Sequence, residues 1–264
     1  MEAIIPIKFI CKINTIEDFN NVNINATHLI FGFYFDEKIN MCHIYPNNIT
    51  HLTVGHCFNQ QIKLSNNITH LIFGYEFNKK IILSNNMSNL TFSEYFNKKI
   101  ILTHNLTHID FGEQFGNKKK ICKIKLSNNI THLTFGWCFN CKIKLPLTVT
   151  HLIYGQHYNK KIKLHHNITH IFFDENFNQK IKLPNSITHL HLGYTFNKKI
   201  KLPINLTHLT LTSKKNLRKI ILPISITHLF LDDMCNKPIN ITHLIIKNGL
   251  NIKMLDEMLQ LLNF

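Results

Sequence analysis

Apolar residues recur along this chain in one fixed order. In the copy that starts at Ile68, an aliphatic residue precedes Thr69-His70, and Leu71, Ile72, Phe73 and Gly74 follow. Phe77 and Asn78 come next, and then a Lys/Ile/Leu stretch. Numbered from Ile68, positions four and six are Leu71 and Phe73, and position ten is Phe77. Position four is Leu or Ile in every copy, from Leu29 and Leu52 to Leu229 and Leu244. Residues two apart lie on the same side of a strand, so positions four and six point to a core and positions three and five point away. Thr-His fills positions two and three of eleven copies, mostly 19 residues apart, and Ser88-Asn89 fills the one gap. The intervals are longer at His28→His51 (23) and His108→His132 (24), and the last, His228→His243, is 15. A fixed period of this size predicts a stacked-repeat protein.

A coil of 19 residues has no room for a helix of ordinary length. The pattern predicts an all-β-rich solenoid of parallel coils, about twelve in number and on the order of 55 Å long at ~4.8 Å per rung. Glycine at position seven, as in Gly74 and Gly155, is expected to take φ > 0 at a tight corner. Position ten should plug the interior of the turn, and the Asn after it should satisfy backbone groups of the next corner. Lys161–Leu164 and Lys199–Leu202 alternate like a second short strand, with Ile162 and Leu164 inward and the lysines outward. Residues 1–23 read as an N-terminal cap, 24–247 as the repeat array, and 248–264 as a capping helix with Leu255, Met258, Leu259 and Leu262 on one stripe.

Composition narrows the function classes. The formal charge is +15, so an acidic partner or surface enters the picture. The start lacks a signal-peptide core and no apolar run approaches roughly 18 residues, so a cytoplasmic protein without a membrane span is expected. The seven cysteines are odd in number and irregularly placed, and read as reduced thiols. A monomer is expected, because each coil of an array contacts mainly its neighbours.

The unit Leu183-Pro184-Asn185-Ser186-Ile187-Thr188-His189-Leu190-His191-Leu192-Gly193-Tyr194-Thr195-Phe196-Asn197-Lys198-Lys199-Ile200 resembles an FNIP repeat. FNIP repeats are leucine-rich-repeat-like units found in social amoebae and giant DNA viruses. The resemblance covers residues 24–247. It implies a curved solenoid, and in many members an F-box that recruits substrates to a ubiquitin ligase. The 23 leading residues show no such box. The resemblance implies no catalytic residues and no cofactor. For a viral chain it implies the host cell cytoplasm.

Candidate chemistry sits in the columns that the period creates. The position-three histidines would form a ladder along one face. A zinc site needs three or four converging ligands, whereas a ladder offers parallel ones, so stacked neutral imidazoles are the reading adopted. Cys138-Phe139-Asn140-Cys141 is a lone CxxC on ordinary repeat positions, without the helix start that a redox motif needs. No constellation breaks the repeat in the way chemistry requires, so the chain reads as no enzyme and as using no cofactor. Lys80, Lys99, Lys144, Lys163, Lys182 and Lys201 make a basic stripe that suits phosphate, though without interleaved exposed aromatics. Positions five, eight and nine vary between copies and mix aromatic with polar residues, as binding patches do. They single out Tyr75, Tyr95, Trp137, Phe172, His191, Tyr194 and Phe230, with His151 from the ladder, as a partner-binding surface. The expected function is a scaffold for an unidentified protein partner, of substrate-recognition or adaptor type, with a host protein as the partner of a viral chain. The second reading is nucleic acid or an acidic surface bound through the lysines.

Overall fold

The computed structural model describes residues 9–39, 48–116, 124–212 and 220–231. They hold twelve strands and one helix. The chain divides into two compact units between Ile130 and Thr131. That division falls inside the 24-residue interval between His108 and His132. The first unit contains β1 (Ile10–Ile13), α1 (Ile16–Asn20), β2 (His28–Phe31), β3 (His51–Thr53), β4 (His70–Ile72), β5 (Asn89–Thr91) and β6 (His108–Phe111). The second contains β7 (His132–Phe135), β8 (His151–Tyr154), β9 (His170–Phe173), β10 (His189–Leu192), β11 (His208–Leu211) and β12 (His228–Leu231).

Within each unit every strand pairs in parallel with its neighbour in sequence, and like positions lie side by side. His51 pairs with His70 and Leu52 with Leu71 in the first unit; His170 pairs with His189 and Ile171 with Leu190 in the second. A parallel ladder links neighbouring coils with evenly spaced bonds, so the in-register repeat yields columns of identical residues. The ladder extends one residue before each strand: Thr69 N and His70 N both donate to Thr50 O, at 2.8 and 3.0 Å. Each unit is a parallel β-solenoid.

The core follows the predicted columns. Ile68, Leu71, Phe73 and Phe77, at positions one, four, six and ten, are all buried. So are Ile168, Ile171, Phe173 and Phe177 in the second unit. Rings at positions six and ten stack within a coil, Phe73 on Phe77 at 4.0 Å and Tyr154 on Tyr158 at 3.7 Å. Position ten also forms a column from coil to coil, with Phe58, Phe77 and Phe96 at 6.4 Å intervals.

Three local expectations change. Among the described glycines only Gly116 has φ in the left-handed region, at 82°. The position-seven glycines are there because neighbouring coils approach closely: a Cβ on Gly74 would lie 2.0 Å from Gly55 O, and one on Gly155 2.5 Å from Gly136 O. The Lys-Ile-Lys-Leu segment forms no strand in any described coil. Its burial alternates as expected, with Ile81 and Leu83 inside and Ile82 89% exposed, because an extended backbone alternates its side chains whether or not it pairs. The N-terminal segment is also more than a lid: β1 joins the sheet, with Cys11 opposite Leu29. Helix α1 follows β1, closed by a capping box in which Thr15 Oγ1 accepts from Asp18 N and the Asp18 carboxylate accepts from Thr15 N. Phe19 on this helix is buried, edge-on to Phe31 at 6.4 Å. The capping helix expected over 248–264 lies outside the described residues.

Candidate interaction surface

Position three forms the histidine ladder. Ring centroids of His28, His51 and His70 lie 4.1 and 4.0 Å apart in the first unit. In the second, five contacts from His132 to His228 are all 4.0 or 4.1 Å. His170 and His189 are tilted by 17° and His208 and His228 by 7°, so the rings run nearly parallel and do not converge on a point. In each of these pairs the ring Nδ1 meets the preceding threonine: Thr69 Oγ1 is 2.8 Å from His70 Nδ1, and Thr169 Oγ1 2.8 Å from His170 Nδ1.

Burial and the neighbouring imidazoles set the protonation of this face. Burial, then the charges of His189, His151, His132 and His208, push His170 down to about 3. Burial and then His208 push His189 down to about 4. His70, His108 and His208 are lowered for the same two reasons, burial first. His170 and His189 are therefore neutral at pH 7.

Position five lies on the same face. Phe172 and Phe230 are half-buried there. His191, expected to be exposed, is 4% exposed and stacks on Phe172 at 3.8 Å. Burial pushes it down to about 3. It supports Phe172 rather than meeting a partner itself. Asp110, also at position five, is pushed up to about 7 by burial.

The corners after the strands carry the exposed aromatics. In the first unit Phe33 stacks on His56 at 4.3 Å and His56 on Tyr75 at 4.7 Å. Tyr75 meets Tyr95 edge-on at 4.8 Å, and their hydroxyls bond at 3.1 Å. That bond, then desolvation and the Glu94 carboxylate, push Tyr75 up to about 12. Tyr34 is 83% exposed beside them. In the second unit Trp137 is 47% exposed and its Nε1 donates to His157 Nε2 at 3.1 Å. Tyr194 is exposed as well. The structure thus brings Tyr75 and Tyr95 together, whereas Trp137 and Tyr194 stand in separate coils. Phe33, Tyr34 and His56 occupy the same variable positions eight and nine but are not among the binding residues chosen from the sequence.

Lys80, Lys99, Lys144, Lys163, Lys182 and Lys201 are all exposed. They do not share one column: Lys80 and Lys99 sit at position thirteen, the other four at position fifteen. In the first unit position fifteen holds Lys63, then Ile82 and Ile101, all exposed. In the second unit Lys142, Lys161, Lys180 and Lys199 fill position thirteen as well, so eight exposed lysines stand in two columns over four coils.

The cysteines correct one expectation. Cys11, Cys57 and Cys138 are thiols, but Cys141 is disulfide-bonded. Cys138 and Cys141 are not joined to each other, and the partner of Cys141 lies outside the described residues. The expectation that all seven cysteines are reduced thiols therefore fails at Cys141. No described helix is long and apolar enough to cross a membrane.

The repeat matches the FNIP Repeat family at residues 58–87, 158–195 and 177–214. Among solved structures the chain is similar to CroV588 of a giant virus, described as a novel circular LRR protein structure. The identity is 37% and the TM-score 0.71, over 83% of this chain and 35% of that one. The chain thus spans about a third of that protein's length. YopM from Yersinia enterocolitica is similar at 14% identity and a TM-score of 0.48, over 77% of this chain and 59% of that one. No curated protein matches the sequence. The family match and the stacked parallel coils together show that the chain carries FNIP repeats, stacked as leucine-rich-repeat-like coils.

Proposed function

We propose that this chain is a non-enzymatic scaffold that binds another protein through the histidine face and the adjoining corners. One observation carries the reading: exposed aromatic rings stand in rows at positions eight and nine, on corners fixed by a rigid ladder. Tyr and Trp supply large contact area at small entropic cost, and such residues dominate binding energy at protein interfaces. The repeat supplies fixed spacing, while the corner residues differ from coil to coil. Tyr75, Tyr95, Trp137, His151, Phe172, Tyr194 and Phe230 are the contact residues on this reading. His191 holds Phe172 in place. A substrate-recognition or adaptor role in a host cytoplasm is the finer form of the same proposal. Affinity capture from the native cell, quantified by mass spectrometry, tests it. Trp137→Ala and Phe172→Ala should each lose partners that the wild type recovers. An unchanged set of partners would place binding elsewhere.

The eight lysines in the two columns of the second unit favour one other reading, in which that flank holds nucleic acid or another polyanion. Phosphate binding of this type weakens steeply with salt. A gel shift at low salt that collapses by physiological salt supports it, and no shift at low salt removes it.

A further inference from the structure

Position nine of two consecutive coils places Cys57 beside Glu76, and His56 precedes Cys57 at position eight. We infer that His56, Cys57 and Glu76 form a binding site for a zinc-class divalent cation. One donor atom from each of the three lies within 4.8 Å of the other two. His56 Nδ1 is 3.8 Å from Cys57 Sγ. Around a tetrahedral zinc with bonds of about 2.0–2.3 Å, donor atoms sit roughly 3.3–3.8 Å apart. The His56–Cys57 pair already stands at that spacing. Glu76 has about 1 Å left to travel, and its side chain is exposed and able to do so.

The surroundings hold the donors in place. The His56 ring is clamped between Phe33 and Tyr75, 14° and 9° from parallel with them. Cys57 N donates to Phe33 O at 3.0 Å and Glu76 N donates to His56 O at 3.0 Å, so the three corners are tied by backbone. A thiol hydrogen bond to imidazole explains the first two residues alone. It leaves unexplained why a carboxylate from the next coil faces both. Thiolate and imidazole donors select zinc over calcium or magnesium, which take oxygen. Three protein donors leave the fourth position to water or an incoming ligand. Glu76 also lines an open hollow of about 460 Å³, which gives solvent access to that side. On binding, the Cys57 S–H bond breaks, its proton goes to solvent, and the sulfur lone pair forms the S–metal bond. The inference does not depend on a protein partner.

The test is titration of the metal-free full chain, its Cys141 disulfide left intact, with cobalt(II) as spectroscopic probe, followed by zinc in competition with a chromophoric chelator. One equivalent of cobalt should develop a thiolate-to-metal charge-transfer band, and zinc should displace it. Cys57→Ser should abolish the band, whereas Cys11→Ser and Cys138→Ser should leave it intact. His56→Asn and Glu76→Gln should weaken zinc binding by at least about tenfold. Glu76 is exposed, so its variant tests the site without disturbing the stack. No band in the wild type, a band that survives Cys57→Ser, or unchanged affinity in Glu76→Gln would overturn the inference.

Discussion

A threonine hydroxyl carries one hydrogen, and most ladder threonines have two neighbours within reach of it. Thr169 Oγ1 lies 3.2 Å from Thr150 O and 2.8 Å from His170 Nδ1. The carbonyl can only accept, so both contacts are satisfied when the hydroxyl donates to it and Nδ1–H donates to the hydroxyl. The repeat therefore fixes the histidine tautomer, with Nε2 as the site of protonation. His170, His189 and His191 have pKa values of about 3 to 4 in the fold, against about 6.5 in an unfolded chain. A lowered folded value means that the stabilisation is complete above about pH 6.5 and is lost as pH falls toward the folded values. Asp110, Asp174 and Glu94 are raised and act in the opposite direction. Seven described histidines are lowered against those three acids, so the histidines set the sign. The urea midpoint should fall steadily between pH 7 and pH 4. His170→Asn, which copies the natural Asn89, should flatten that fall. A constant midpoint would contradict the neutral ladder. Glycine gives a second prediction at this scale. Gly74→Ala should destabilise by about 1–3 kcal/mol, measured by urea unfolding, because its Cβ meets backbone that cannot swing away. The same variant would be nearly neutral if Gly74 served only as a loose corner.

At the scale of one coil, two columns close the turn after the strand. Asn178 Oδ1 accepts from Asn197 N at 3.1 Å, and Asn178 N donates to Asn159 Oδ1 at 3.0 Å. The chain of side-chain-to-backbone bonds continues to Asn140, whose oxygen takes Asn159 N at 3.1 Å. Asn178→Ala should cost about 1–3 kcal/mol, since Asn197 N loses its acceptor. Phe177→Ala, which removes a fully buried ring, should cost about 3–5 kcal/mol. Equal effects in urea unfolding would contradict the division of labour between the polar and aromatic columns. Most of the coil was legible in the sequence because period fixes columns, and columns fix burial. Positions one, four, six and ten needed nothing more. The Lys-Ile-Lys-Leu segment was misread because alternation reports which side chains are inside, not whether the backbone pairs. Gly74 was misread because a missing Cβ does not say whether space or dihedral angle requires it. His191 was misread because its burial is set by its neighbours, chiefly Phe172, rather than by its position. Ile10–Ile13 joined the sheet without a Thr-His signature. His56, Cys57 and Glu76 become visible only when positions eight and nine are read down the coils rather than along the chain.

For the whole molecule, the sequence reveals more about the scaffold than about its partner. The periodic residues are those that build the array, and the core positions stay apolar from coil to coil. On the proposed reading, recognition rests on the residues that differ between coils. The +15 charge is itself unevenly used, with paired lysine columns in the second unit and exposed isoleucines interrupting position fifteen in the first. Aromatic corners and lysine columns lie at different positions of the same coils, so they predict separable footprints. The most direct test is backbone hydrogen exchange on the chain alone and bound to its captured partner. The scaffold account predicts slowed exchange at the corners around residues 33–34, 75–76, 94–95 and 137–138, with the segments 142–144, 161–163 and 180–182 unchanged. Protection confined to the lysine segments, with the aromatic corners exchanging as before, would contradict it.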